Sequence, residues 1–231
     1  LFLQLKILIM KNLVLPIFAF FLVVFASCSK PTVKNVTGNW CIQNYKIAEV
    51  TDSSNTTTET SFIDKNWQQI SYSNGNSAQQ NRKEGCIEEA PSLELVETGA
   101  FSKTVKYSYT EPNDSAIVYA SEIITGTWEL NSGKETERLI LIVSEEMIRS
   151  NIIKGSVEVS DTVELNRYAL AEKIFVYNID NFSNKKIVLS LDEYSAKSKI
   201  ESETISLERI TKRNQQDINS RYNIDPAKNS K

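Results

Sequence analysis

A chain of 231 residues that is 41% hydrophobic and 24% charged is apolar enough for one globular domain with a single core, and far from the composition of a disordered chain. Its net charge of −3 and pI near 5.3 leave no clustered excess of lysine and arginine for a phosphate-binding surface, which excludes nucleic acid as a partner. Histidine is absent, so Ser-His-Asp and Cys-His catalysis and histidine-ligated zinc or haem are excluded as well. The expectation is a non-enzymatic protein with no cofactor and no metal.

The first segment reads as an address. Lys11 precedes an apolar run from Leu13 to Ala26, which stops at Ser27-Cys28 and the polar Ser29, Lys30, Pro31 and Thr32. A positive start, a short apolar run and small residues at the end make a signal peptide over residues 1–27, because a spanning helix needs about 20 apolar residues. Residues 1–9 add apolar sequence ahead of the charged start, so the expected translation start is Met10. Phe25-Ala26-Ser27-Cys28 resembles the lipobox of bacterial lipoproteins. That resemblance implies cleavage before Cys28, lipidation of its thiol, and partnership with a membrane through fatty-acyl chains such as palmitate. At about 0.8 kcal/mol per buried methylene, two or three such chains suffice to hold a soluble domain on a bilayer. The mature chain loses Lys6 and Lys11 and no acid, leaving 24 basic residues against 29 acidic, a net of −5. Such a domain gains nothing from anionic head groups and stands off on the linker at residues 28–36. Surface-exported lipoproteins of the kind it resembles carry an acidic run after the cysteine, and none follows Cys28, so the resemblance implies a lipoprotein of the cell envelope, anchored in the outer membrane and leaning toward the periplasm.

Beyond the linker, alternation at period two dominates, the mark of strands with one packed face. Trp40 and Ile42 share a face of the first strand, with Cys41 opposite, and Tyr45 and Ile47 resume after a bulge near Asn44. The polar stretches Thr51 to Thr60 and Ser71 to Glu84, the second containing Asn74-Gly75, read as long surface loops around a segment, Phe62 to Ile70, that suits a short helix or a strand. Leu93 to Val96 leads through a turn at Glu97 to Ala100 into a strand with Phe101, Val105, Tyr107 and Tyr109 on one face, interrupted only by Lys103. After the Glu111 to Asp114 loop, Ile117, Tyr119 and Ile123 line a strand, and Ile124, Gly126, Trp128 and Leu130 continue it after a change of register. Asn131-Ser132-Gly133 signals a hairpin back through the apolar Leu139 to Val143. Val157 to Leu165 forms a further strand, although Val163 to Lys173 also suits a helix. Phe175, Tyr177 and Ile179 pair across Asn181 to Asn184 with Ile187, Leu189 and Leu191, and Ile205 with Leu207 completes the set. The polar residues 213–231 read as a frayed tail. Eight or nine short antiparallel strands make an all-β up-and-down barrel over residues 37–212 the economical architecture, because closure removes exposed edges.

Cys41 and Cys86 are the remaining cysteines, and in an oxidising compartment their pairing is the simple reading. Closing a loop of about 46 residues would contribute roughly 4 kcal/mol in the chain-entropy model. The alternative is two separate small hydrophobes. Glu84, Glu88 and Glu89 beside Cys86, and Glu158, Asp161 and Glu164 in their strand, read as solvated carboxylates rather than a catalytic pair. Asp114-Ser115-Ala116 and Asp161-Thr162-Val163 resemble the short pattern used for O-glycosylation of exported proteins, with Ser115 the better placed because it falls in a loop.

Gly38-Asn39-Trp40, Cys86 before a hairpin, Gly126-Thr127-Trp128 and the closing Tyr177-Asn178-Ile179 to Leu189 hairpin together resemble the lipocalin-like domains of bacterial lipoproteins, over most of residues 36–210. The resemblance implies a barrel with Trp40 as a plug across its closed end and a cavity for a small apolar or amphipathic ligand. The aromatic residues expected to line that cavity are Tyr107, Tyr109, Tyr119, Trp128, Phe175 and Tyr177. The competing expectation is an envelope interaction protein with a filled barrel, meeting a protein partner through surface loops at residues 51–84.

Overall fold

The computed structural model describes residues 30–51, 56–73, 76–112, 114–133, 136–170, 172–195 and 199–222. The signal peptide with Met10, the lipidation site Cys28, the Asn74-Gly75 turn and residues 223–231 of the tail lie outside the described residues. The chain divides into units at residues 1–31 and 32–231, and every strand belongs to the second. Among the described residues no helix is long and apolar enough to cross a membrane.

Twelve strands pair antiparallel into one sheet that closes into a ring. They are β1 Gly38–Thr51, β2 Thr56–Ile63, β3 Asn66–Ser73, β4 Asn76–Ile87, β5 Ser92–Leu95, β6 Ala100–Thr110, β7 Ile117–Ser132, β8 Glu137–Lys154, β9 Val157–Arg167, β10 Ile174–Phe182, β11 Lys186–Ser195 and β12 Lys199–Arg209. Two short helices flank them, α1 Val33–Val36 and α2 Gln215–Arg221. One edge of β1 pairs with β12. Its other edge pairs first with β5, through residues 38–41, and then with β2, through residues 44–51. Strand β6 meets β5 and then β4 in the same way. Strand β5 therefore bridges β1 and β6 at one end, and the β2–β3–β4 meander fills the gap between them at the other. On the far side β8 pairs with β10 and then with β9, and the β8–β10 pairing closes the ring.

The all-β, antiparallel class is as expected, but twelve strands replace eight or nine. Part of the excess lies where loops were expected, since most of β2 and β4 is built from the polar stretches. Threonine suits a pleated surface as well as valine does, and the side chains of β2 and β3 pair with one another. Thr58 Oγ1 lies 3.1 Å from Ser71 Oγ, Gln68 Nε2 donates to Ser61 Oγ at 3.1 Å, and Gln69 Nε2 donates to Thr60 Oγ1 at 3.1 Å. The segment Phe62 to Ile70, suited by sequence to either helix or strand, forms the β2–β3 hairpin, turning at Asp64, whose φ is 52°. Strand β9 is a strand as expected, yet Val157, Val159, Val163 and Leu165 are all exposed. The chain leaves it at Arg167, before Tyr168 and Lys173 return toward the ring.

Strand β7 corrects a register. Its buried face runs unbroken through Val118, Ala120, Ile124 and Trp128, and the irregularity lies in β8, where Ser144 is the extra residue and donates to Thr125 O at 3.1 Å. Ile117 and Tyr119 consequently face outward. Gly126 is required at the crossing, since a Cβ there would lie 2.0 Å from Ile142 O and 2.9 Å from the Phe101 ring.

The β5 end of the ring is packed solid with Leu93, Leu95, Leu139, Ile187, Leu189 and Leu207. Trp40 closes it: its indole donates to Val36 O of α1 at 2.8 Å, and the Arg209 guanidinium lies 4.2 Å from its ring centroid. The tail does not fray before residue 222. Helix α2 buries Ile218, and Tyr222 after it is buried too, its hydroxyl 3.3 Å from Ile42 O and 3.9 Å from Cys41 Sγ.

That contact bears on the expected bridge, which the structure does not form: Cys41 and Cys86 are both free thiols. Cys41 is buried beneath Tyr222, while Cys86 is exposed on β4, with β5 and β6 between their strands. Burial raises the Cys41 thiol above its ordinary range, against the pull of the Tyr222 hydrogen bond. In peptide mapping after native alkylation with iodoacetamide, Cys86 should label first and Cys41 only after unfolding. A Cys41–Cys86 cross-linked peptide would contradict this.

Candidate functional site

The end of the ring opposite Trp40 is hollow. Inward positions of β1, β2, β3, β6, β7, β8, β10, β11 and β12 enclose a cavity of about 280 Å³. Strand β1 supplies Tyr45, Ile47 and Glu49, the alternate residues that follow its bulge. The meander supplies Thr60, Phe62, Trp67 and Gln69. Strand β6 supplies Lys103, Val105 and Tyr107, β7 Glu122 and Ile124, β8 Glu146 and Ile148, and β12 Ile200 and Glu203. Phe175, Tyr194 and Lys173 complete the wall.

Aromatic rings cover much of it. Tyr45 stacks on Phe62 with centroids 5.3 Å apart, and Trp67 on Tyr107 at 4.7 Å. Of the residues expected to line a cavity, Tyr107 and Phe175 do so. Tyr109 stacks behind Trp67 at 5.2 Å, outside the lining. Trp128 is core, with its indole donating to Val96 O at 2.8 Å. Tyr177 is core as well and touches the site through a hydrogen bond, and Tyr119 lies on the outer face, 41% exposed. Two of the six expectations therefore fall on the cavity; parity displaced Tyr119, and Trp128 packs nearer the Trp40 end.

Charged residues, none of them expected there, share the lining with the aromatic rings. Four carboxylates (Glu49, Glu122, Glu146 and Glu203) and two ammonium groups (Lys103 and Lys173) line the cavity. One pair is self-sufficient: Lys173 Nζ lies 2.9 Å from both Glu146 oxygens, and Tyr168 donates to Glu146 Oε2 at 2.6 Å. Burial pulls the Lys173 ammonium down, and Glu146 more than offsets it, leaving Lys173 above its ordinary range. The second pair is looser. Glu203, 1% exposed, accepts from Tyr177 at 2.7 Å on Oε2, while Oε1 has no hydrogen-bond partner and faces Lys103 Nζ at 3.8 Å. Lys103 is shared with Tyr45, 3.3 Å from its hydroxyl and 4.4 Å from its ring centroid.

Burial raises the Glu203 carboxyl, Lys103 and the Tyr177 and Tyr45 hydroxyls pull it back, and Glu122 pushes it up again; the balance is above the usual carboxylate range. Glu49 is raised too, by burial and then by Glu122 and Glu203, against Lys173 and Lys103. Burial and the facing Glu203 carry the Tyr45 and Tyr177 phenols well above their ordinary range. Among the described residues no three His, Cys, Asp or Glu side chains form a metal-holding group.

A signal for these residues exists in the sequence. Lys103 interrupts an apolar stripe, and Glu122 and Glu203 sit at inward parity between Ala120 and Ile124 and before Ile205. A charge kept at inward parity marks a buried polar site once the register is right. The carboxylates singled out instead, Glu84, Glu88, Glu89, Glu158, Asp161 and Glu164, take no part in the cavity. Ser115 is exposed in the β6–β7 loop, whereas Thr162 lies in β9 with its hydroxyl 2.7 Å from Ser150 Oγ. Compared with protein-family models, with curated proteins and with solved structures, the chain matches none.

Proposed function

We propose that this chain is a lipoprotein of the bacterial cell envelope, anchored in the outer membrane through an acylated Cys28, whose lipocalin-like β-barrel binds a small amphipathic ligand. It acts as a binding protein rather than an enzyme, with the membrane and the ligand as its partners and no nucleic acid. The observation that carries the reading is a cavity of about 280 Å³ at one end of a closed strand ring whose other end is plugged by Trp40. That volume is near the lower end of small-molecule sites, and stacked aromatic walls with a few convergent polar groups are their usual lining. The charges shift the ligand from purely apolar to amphipathic. The competing reading is contact with a protein partner through residues 51–84, whose described part is the β2–β3–β4 meander rather than loops.

Native mass spectrometry of the full chain, purified gently from the envelope, tests the reading. A small molecule should co-purify as added mass, and Ile148→Trp, which fills part of the cavity, should remove it. A bare mass, or added mass unchanged by Ile148→Trp, would count against the cavity as the site.

A further inference from the structure

We propose that the cavity is built for a protonated amine on a small flat ring system, with the ammonium group seated against Glu203 Oε1. This deepens the preceding proposal and rests on it. Two features point to it, an excess of negative charge and an unmet acceptor. With Lys173 and Glu146 satisfied by each other, three carboxylates remain against one ammonium, Lys103. Glu49 and Glu122 have no cation at ion-pair distance among the described residues, and Glu203 Oε1, with Lys103 Nζ standing off at 3.8 Å, has no donor at hydrogen-bond distance. A buried carboxylate oxygen left without a donor is costly, and an excess of negative charge calls for a cationic donor rather than a neutral one. An anionic ligand would meet that excess, with one lysine committed to Glu146 and the other to Glu203 and Tyr45. The walls fit the rest of such a molecule. The Tyr45–Phe62 and Trp67–Tyr107 stacks offer flat apolar contact and negative ring faces, which attract a desolvated cation. The volume limits the body to one or two rings.

The test is a charge series on one ring system: tryptamine, tryptophol and indole-3-acetate, titrated calorimetrically into the full chain at neutral pH. Tryptamine should bind at least about tenfold tighter than tryptophol, and indole-3-acetate weakest. Glu203→Gln should weaken tryptamine by about tenfold or more and tryptophol much less, and because it leaves Lys103 without its anion it should also lower the melting temperature. Glu122→Gln, as a second variant, should weaken tryptamine in the same sense. Binding should weaken on acidification, because protonating Glu203 removes the charge the amine needs. The groups facing Glu203 are Lys103 from β6, Tyr177 from β10, Tyr45 and Glu49 from β1, and Glu122 from β7. If tryptophol or indole-3-acetate binds as well as tryptamine, the amine assignment falls and the ligand cavity stands. If none of the three binds, both fall. Tryptamine binding unchanged by Glu203→Gln would overturn the role given to that residue.

Discussion

Replacing Trp40 by alanine should lower stability by about 3–5 kcal/mol, as loss of a fully buried large aromatic does when its surroundings cannot collapse. For a unit of this size that is a fall in melting temperature of roughly 6–20 °C. The indole is 0% exposed and ties three elements together: α1 through Val36 O, β1 by its own backbone, and β12 through the Arg209 guanidinium over its ring. Arg209 is held in turn, donating to Thr37 O at 2.9 Å and to Asn35 O. Removing the ring therefore leaves a void, an unpaired carbonyl and a half-buried cation without its aromatic face. Trp40→Phe separates these contributions. It keeps most of the ring but strands Val36 O, for a cost of about 1–3 kcal/mol. Thermal melts of both variants check the order; a Trp40→Ala chain that melts with the wild type would show that the plug does not hold this end.

Lys103→Met should cost a comparable amount, about 3–5 kcal/mol near neutral pH, because it leaves Glu203 buried and charged without its cation. The pair is deep, with Lys103 8% and Glu203 1% exposed, so solvent screens it little. The pH dependence identifies the cause. The folded-state Glu203 carboxyl titrates above its unfolded value, so proton uptake favours the fold. That contribution is complete below the ordinary carboxylate range and is lost as pH rises through the raised value. Without Lys103 the value should rise further, so the deficit of the variant should shrink on acidification and widen toward alkaline pH. Adding Glu203→Gln should restore most of the loss, since the orphaned charge is gone. Denaturant unfolding across the pH range reads both effects. A deficit that is independent of pH and persists in the double variant would assign the cost to lost packing instead.

The two ends of the ring differ in how much of them could be read from the chain. Strands whose inner face is apolar and outer face polar were legible residue by residue. The β10–β11 hairpin forms as expected, in the register Tyr177–Leu191 and Ile179–Leu189, as do the bulge after Ile42 and the turn before Ala100. Alternation is a local property, and its period survives whatever the strand packs against. The meander was illegible for the complementary reason. Phe62, Trp67 and Ile87 are the buried apolar side chains among the described residues of β2 to β4, and what pairs these strands is the open edges of β1 and β6, which belong to distant parts of the chain. Composition pointed to loops there because it records side chains, whereas backbone donors and acceptors pair whatever side chain they carry.

The site divides along the same line. Tyr107 and Phe175 were found as members of apolar stripes, and Lys103 was visible as the interruption of one. Glu49, Glu122 and Glu203 lie on three different strands, and their convergence depends on ring closure and on a bulge in β8 rather than in β7. A one-residue change of register exchanges the two faces of a strand, so a register change placed in β7 turns Tyr119 inward and hides Glu122. The all-β class and the alternating strands follow from residue order alone, because periodicity and turn chemistry act over a few neighbours; the plug at Trp40 is implied only by a resemblance. The strand count, the free thiols and the charged cavity depend on which strands lie side by side, a choice made by backbone pairing between segments far apart in the chain.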